Sequence, residues 1–232
     1  ILMAEQVKKN LKIDVKVVLG PHPAAFAHQF ELWFSEDGEK GAQKAIENYN
    51  DSIEVAIDFC HEGKAVAIGE VGRPHWKTSE EVLNLSNKLL EETMELSRKE
   101  NIPLQLHMEE NGSQTYLDLE RMADRVGLDP TKLVRHFAPA DVSTSMVGKI
   151  TPSVNLGKDG INTLIETCNL SHHGFMLETD YMDDPRRPGA VLGPKTVPKR
   201  TQKLASIAEE KGIDEELFFT MHQDLPNMIY GE

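Results

Sequence analysis

Residues 65–75 read AVAIGEVGRPH, an apolar run that ends at one carboxylate and then turns at a glycine. The run from Ala65 to Ile68 is short and continuously apolar, which is typical of a parallel strand buried on both faces. Gly69 lets the backbone pass closely at the end of that strand. We therefore predict that Glu70 lies at the carboxyl end of a buried strand, in the active site.

Three other runs end on a side chain that can bind a metal. IPLQLH ends at His107, LVRH ends at His136, and FMLETD ends at Asp180. In a barrel of alternating strands and helices, catalytic groups gather at the carboxyl ends of the strands. Two carboxylates and two imidazoles suit a divalent ion. We therefore predict a metal site built from Glu70, His107, His136 and Asp180.

Six predicted strands alternate with helices, which indicates an α/β fold with a parallel sheet. Six strands do not close an eight-stranded barrel, and the first residue, Ile1, already reads as mid-helix. We therefore expect residues 1–232 to be a single, N-terminally incomplete domain whose first two strands belong upstream. An open doubly wound sheet is the alternative, but no glycine-rich phosphate loop supports it.

The sequence also predicts the conformation of three local segments. Pro21 and Pro23 predict a stiff loop that presents His22 after the first strand. Residues 39–61 have helical periodicity, with a predicted break near Asn50. A longer helix is predicted to begin at a capping box that starts at Thr78.

The composition limits the function classes. A net charge of −13 argues against tight binding along a nucleic-acid backbone, although metal ions can supply positive charge within a cleft. No apolar run approaches the roughly 20 residues of a membrane span. Cys60 and Cys168 fall on separate predicted helices, so a disulfide framework is not expected. These features predict a cytoplasmic protein with no membrane association.

Five motifs, in order and at suitable intervals, resemble the TatD-related metal-dependent deoxyribonucleases of the amidohydrolase superfamily: VVLGPHP, AIGEVG, PLQLH, VRHFAP and LETDYMDDP. The closing HQDLPNMIYG is similar to the tail of archaeal members. The resemblance implies a (β/α)8 TIM barrel of the metal-dependent hydrolase type, with one or two divalent metals. It also implies hydrolysis of phosphodiester bonds, often in DNA.

The same resemblance assigns roles to individual residues. Glu70 matches the carboxylate that bridges the metals, and His107 and His136 match imidazole ligands of one metal. Asp180 matches the aspartate that holds the other metal and the nucleophilic water, so Asp180 and Glu70 are the predicted catalytic residues. His22 matches a histidine on the substrate side.

The chain also departs from the family pattern. It lacks the HxH motif of the family's first strand, and it reads GEVGRPH where members tend to read GEIGLD. Arg73 and His75 therefore change the wall beside Glu70, and His75 is either an additional ligand or an exposed residue. Four residues are predicted to contact substrate, two of them on the long loop after Asp180: His22, Arg73, Arg186 and Lys195.

The most favoured function is a deoxyribonuclease or phosphodiesterase that uses water activated by Zn²⁺, Mg²⁺ or Mn²⁺. The expected substrate is DNA or a small phosphodiester, and the sequence does not predict an oligomeric state. An amidohydrolase acting on an amide, ester or lactone is one alternative. A non-catalytic remnant that keeps part of a metal site is another, since the HxH motif is missing.

Overall fold

The computed structural model describes residues 1–155, 160–182 and 192–231. It divides into two compact units, Ile1–Val134 and Arg135–Glu232, and each is described by itself. Strands alternate with helices, and the strands that pair within a unit run parallel. The predicted α/β class is confirmed, and the described residues contain the six strands counted in the sequence. The single-domain assignment stays a prediction.

The first unit begins with a helix and then builds three paired strands with helices between them. Its elements are α1 (Leu2–Leu11), β1 (Val18–Leu19), α2 (Pro23–Asp37), α3 (Glu39–His61), β2 (Ala67–Gly72), α4 (Glu80–Glu100), β3 (Leu104–His107) and α5 (Ser113–Val126). A short 3-10 turn, Pro130–Lys132, leads into β4 (Leu133–Ala138), which crosses the boundary between the units.

Strand β2 lies between β1 and β3, as its continuously apolar sequence predicts. Val18 pairs with Ala67, and Gly72 pairs with His107, with an irregular register between Ile68 and Val71. A Cβ on Gly69 would lie 2.7 Å from the Cβ of Gln105, so only glycine allows this approach of β2 to β3. The register brings Gly72, at the end of β2, beside His107, at the end of β3. Glu70 was predicted to end its strand, but β2 continues for two residues beyond it.

The segment around His22 is a helix start and not the loop that the sequence predicted. Pro23 is the first residue of α2, and His22 is its N-cap. Proline is favoured at that position because the first helical N–H has no intrahelical partner. His22 is thus held by a 15-residue helix whose buried face contains Phe26 and Phe30.

Two other local predictions were wrong in detail. Helix α3 runs through Asn50 without a break, because Ala45, Tyr49 and Ile53 form one continuous buried face. Helix α4 begins one residue later than predicted, since Ser79 is the N-cap and its side chain accepts a hydrogen bond from the Val82 N–H at 3.2 Å.

The second unit continues from β4 through two further strands to a helical C-terminal region. Its elements are α6 (Thr144–Val147), β5 (Thr151–Asn155), α7 (Gly160–Leu170), β6 (Met176–Glu178), α8 (Thr196–Ala205), α9 (Ala208–Lys211), α10 (Glu216–Phe219), a π-helical turn (Thr220–Asp224) and α11 (Leu225–Tyr230). Strands β5 and β6 are parallel, and Asn155 pairs with Glu178. Among the described residues, no helix is long and apolar enough to cross a membrane.

Candidate metal centre

Glu70 is the centre of a group of histidines in the first unit. Its Oε2 atom lies 3.2 Å from Nδ1 of His107 and 3.3 Å from Nε2 of His22. The side chains of Glu70 and His107 are 26% and 15% exposed, so the pair is partly shielded from water but still accessible to a small ligand. The structure thus brings Glu70 and His107 together, and their predicted role as metal ligands stays a prediction.

The cap of α2 determines how His22 can act. The Ala24 N–H donates a hydrogen bond to Nδ1 of His22 at 3.0 Å, so the neutral ring carries its proton on Nε2. That Nε2–H is the group that faces Glu70. His22 is therefore arranged to donate a hydrogen bond to a carboxylate or to a substrate oxygen.

His75 extends the group on the far side of His107. Its Nδ1 lies 2.7 Å from Nε2 of His107, and its ring meets the edge of the Trp76 indole at 5.1 Å between centroids. The pKa of His75 is lowered, mainly because neighbouring atoms shield part of its ring from water, and the nearby His107 and His22 lower it further. His75 is exposed, as one of its two sequence interpretations held, but it also contacts a candidate ligand.

The donor set of this group fits a divalent metal. His22, Glu70 and His107 each offer one ligand atom, and these atoms all lie within 4.8 Å of one another. Imidazole nitrogen and carboxylate oxygen are the ligands that Zn²⁺ and Mn²⁺ accept in proteins. Because the N-cap bond occupies Nδ1 of His22, Glu70 and His107 are the better ligands of the three.

Arg73 is buried, and its guanidinium is engaged by other side chains. It is 5% exposed, and it makes a two-pronged ion pair with Glu109, with nitrogen–oxygen distances of 2.9 and 2.6 Å. A third nitrogen donates to Asn87 at 3.3 Å. This geometry ties the segment after β2 to the segment after β3, and a role of Arg73 in substrate binding stays a prediction.

Replacing Arg73 with Met is expected to destabilise the protein by about 3 kcal/mol, because it leaves the half-buried Glu109 carboxylate without its cation. Urea unfolding measures the change. Arg125→Met is the matched control, since Arg125 makes a similar two-pronged pair with Glu91 on the surface, where little stability is lost. Equal losses in both variants would contradict a structural role for Arg73.

His136 and Asp180 come together in the second unit. Nε2 of His136 lies 3.7 Å from Oδ1 of Asp180, and Nδ1 of His136 lies 2.8 Å from Oε2 of Glu178. Asp180 has a backbone φ of 48°, a left-handed conformation that aspartate tolerates better than most residues and that is common at functional sites. The joining of the two groups in one metal site stays a prediction.

Two further residues, Lys195 and Arg186, were predicted to contact substrate. Lys195 is exposed at the N-terminus of α8. Arg186 falls in residues 183–191, which lie outside the described part of the chain. Their predicted contacts with phosphate stay predictions.

Sequence reasoning missed one residue of this second group. The sequence places Glu178 only on the strand that leads to Asp180. In the structure its side chain is hydrogen-bonded to His136, 42 residues away in sequence. Glu178 is the last residue of β6, so a carboxylate at the carboxyl end of a strand was the usable signal.

Comparison with known proteins gives three findings. A family model described as TatD related DNase matches residues 2–231. An uncharacterised protein of Methanocaldococcus jannaschii, MJ1127, is 34% identical over 227 residues, which are 97% of this chain and 76% of that protein. The crystal structure of YJJV, a TatD homologue from Escherichia coli, superposes with a TM-score of 0.61 at 15% identity, covering 100% of this chain and 82% of that one.

Proposed function

Because the chain belongs to the TatD-related DNase family, we propose that it is a hydrolase that cleaves phosphodiester bonds with water activated by a divalent metal. The observation that carries this proposal is the cluster of Glu70 and His107 with His22 on neighbouring elements of the first unit. Glu70 and His107 offer the carboxylate oxygen and imidazole nitrogen that a divalent metal binds, and the Nε2–H of His22 lies beside them, where it can contact a substrate.

Glu70 and His107 are the proposed ligands in the first unit, and His136 and Asp180 are proposed ligands on the strength of the family resemblance. A divalent ion held by these residues would lower the pKa of a coordinated water and offset charge that develops on the phosphoryl oxygens. Zn²⁺, Mn²⁺ and Mg²⁺ are the candidates, with one or two ions per chain.

The side chains themselves supply the remaining steps. Asp180 is assigned as the general base that orients the attacking water and accepts its proton. Glu70 holds negative charge beside His107 and fixes the direction of that imidazole through the 3.2 Å contact. His22 carries its proton on Nε2, so it can donate a hydrogen bond to a phosphate oxygen of the substrate.

The charge of the protein favours short substrates. With a net charge of −13, the protein as a whole repels the phosphates of a long nucleic acid, whose tight binding depends on lysines and arginines. We therefore propose that the substrate is a small phosphodiester or the end of a DNA strand. Metal ions in the cleft would supply the positive charge that one or two phosphates need.

Two broader assignments also belong to the proposal. The fold is proposed to be a (β/α)8 barrel of the metal-dependent hydrolase type, as the motif order indicates. The protein is proposed to act in the cytoplasm.

The proposal is tested by stripping the protein with EDTA and assaying a 5′-labelled single-stranded oligonucleotide with and without added Mn²⁺, Zn²⁺ or Mg²⁺. We expect no cleavage by the stripped protein and restored cleavage with at least one of the three ions. Turnover of an ester or lactone with the oligonucleotide left intact would favour the amidohydrolase alternative. Inactivity toward both substrate classes would favour a non-catalytic remnant.

A further inference from the structure

Within the second unit, a largely buried carboxylate, that of Glu178, contacts one side of the His136 ring. His136 lies on β4 and Glu178 lies at the end of β6, and their side chains are 6% and 12% exposed. The Nδ1–Oε2 distance is 2.8 Å. An ionised carboxylate can only accept, so Nδ1–H of His136 donates this hydrogen bond.

This bond determines the tautomer of His136. In the neutral ring the proton is on Nδ1, so Nε2 carries the ring's lone pair. Nε2 is also the atom that faces Asp180, at 3.7 Å from Oδ1. The ring therefore presents its ligand nitrogen toward the second carboxylate of the group.

The Glu178 carboxylate is shielded from most of the solvent, and this desolvation has a free-energy cost. Among the described residues its hydrogen-bond partner is His136, and its other oxygen, Oε1, has none. The nearby Tyr230 is partly buried, and its pKa is raised by that burial and further by the charge of Glu178. An apolar side chain would fill this position at less cost, since burying a carboxylate is unfavourable unless its bonds are made.

We propose that Glu178 is a positioning residue that fixes His136 in the Nδ1–H tautomer and aims its Nε2 at the metal that Asp180 also binds. The inference rests on the proposed function, in which His136 and Asp180 are ligands. Metal-binding histidines almost always donate their second ring N–H to such an acceptor, which fixes the ring orientation and makes the ligand nitrogen more basic. Glu178 would act through His136 without touching the metal.

The first test measures Zn²⁺ affinity of the stripped protein by competition with a chelating dye. Glu178→Gln keeps the volume and an oxygen that can accept from Nδ1–H, but it removes the charge that makes the ligand nitrogen more basic, and it is expected to weaken the affinity by about 10–100-fold. Glu166→Gln, at an exposed site on α7 in the same unit, is the matched control and should leave the affinity unchanged. Unchanged affinity in Glu178→Gln would overturn the inference, and complete loss of binding would do the same, because it would make Glu178 a ligand itself.

The second test does not need metal. The ¹⁵N chemical shifts of the imidazole rings in the stripped protein report which nitrogen of each histidine carries the proton. We expect the Nδ1–H form for His136 in the wild type and a mixture or the Nε2–H form in Glu178→Leu. A wild-type His136 in the Nε2–H form would overturn the inference. Circular dichroism of each variant checks that it is folded, and Glu178→Met, which also lacks an acceptor oxygen, replaces Glu178→Leu if that variant is not.

These results separate the inference from the function on which it rests. If the wild type binds no Zn²⁺, Mn²⁺ or Mg²⁺, both the proposed function and the metal-directed role of Glu178 are overturned. If the wild type binds metal, His136→Ala weakens binding and Glu178→Gln does not, only the inference is overturned.

Discussion

Glu70→Gln is expected to lower the rate of phosphodiester cleavage by about 10³-fold, the largest loss from any single substitution in the first unit. A metal supplies several kcal/mol of transition-state stabilisation, and each 1.36 kcal/mol corresponds to about tenfold in rate. Glutamine keeps the shape of Glu70 but has no charge to hold a cation beside His107 and His22. Bound metal should fall together with activity, and both are measured on the same sample.

The chain offers a matched control for this substitution. Glu100 also contacts a histidine, with 3.0 Å between its Oε2 and Nε2 of His61, but on the exposed surface. Glu100→Gln should keep both the metal and the activity. If Glu70→Gln remained as active as Glu100→Gln, Glu70 would be an ordinary surface carboxylate.

Asp180→Asn is expected to lower the maximal rate by about 10²–10⁴-fold, the range that a positioned general base contributes. Asparagine has nearly the same shape and tolerates the left-handed backbone conformation of this residue, so the fold should be kept. It cannot accept the proton of the attacking water. The pH dependence of the rate should lose the rise that ionisation of a catalytic carboxyl produces.

Asp141→Asn is the control in the same unit. Asp141 is exposed, and its side chain accepts a hydrogen bond from the Ser143 N–H at 3.0 Å, which asparagine can replace. Its rate and pH profile should match those of the wild type. A rise of the rate with pH that persists in Asp180→Asn would show that another group is the base.

The strands that carry the candidate ligands were predictable because their signal is local. Short apolar runs close before Glu70, His107 and His136 predict the three strands, but only His107 is the last residue of its strand, since β2 continues to Gly72 and β4 to Ala138. The parallel register then brings Glu70 beside His107, since Gly72 pairs with His107. The alternation of strands and helices was enough to predict that β2 and β3 are parallel neighbours.

Features that depend on a helix start were harder to predict. Pro21 and Pro23 are as compatible with a loop as with the start of a helix. The sequence therefore did not identify His22 as the N-cap of α2. That cap is what sets the tautomer of His22. The same weakness displaced the start of α4 from Ser79 by one residue, because Thr78 and Ser79 are both good caps.

Pairs that are distant in sequence were not predictable from pattern. The sequence predicts only a cation near the site at Arg73. The structure shows that its guanidinium donates hydrogen bonds to Glu109 and Asn87. Glu178 and His136 are separated by 42 residues, and no periodicity links them. Such contacts arise from the packing of strands, which a single sequence does not specify.

The most direct test of the metal centre is elemental analysis of purified protein, comparing the wild type with His107→Ala after exposure to Zn²⁺ or Mn²⁺. The control is His61→Ala, which removes an exposed histidine of the same unit. We predict roughly one or two ions per chain in the wild type and in His61→Ala, and a clear loss in His107→Ala. The same metal content in all three proteins, or no metal in any of them, would contradict a metal centre at Glu70 and His107.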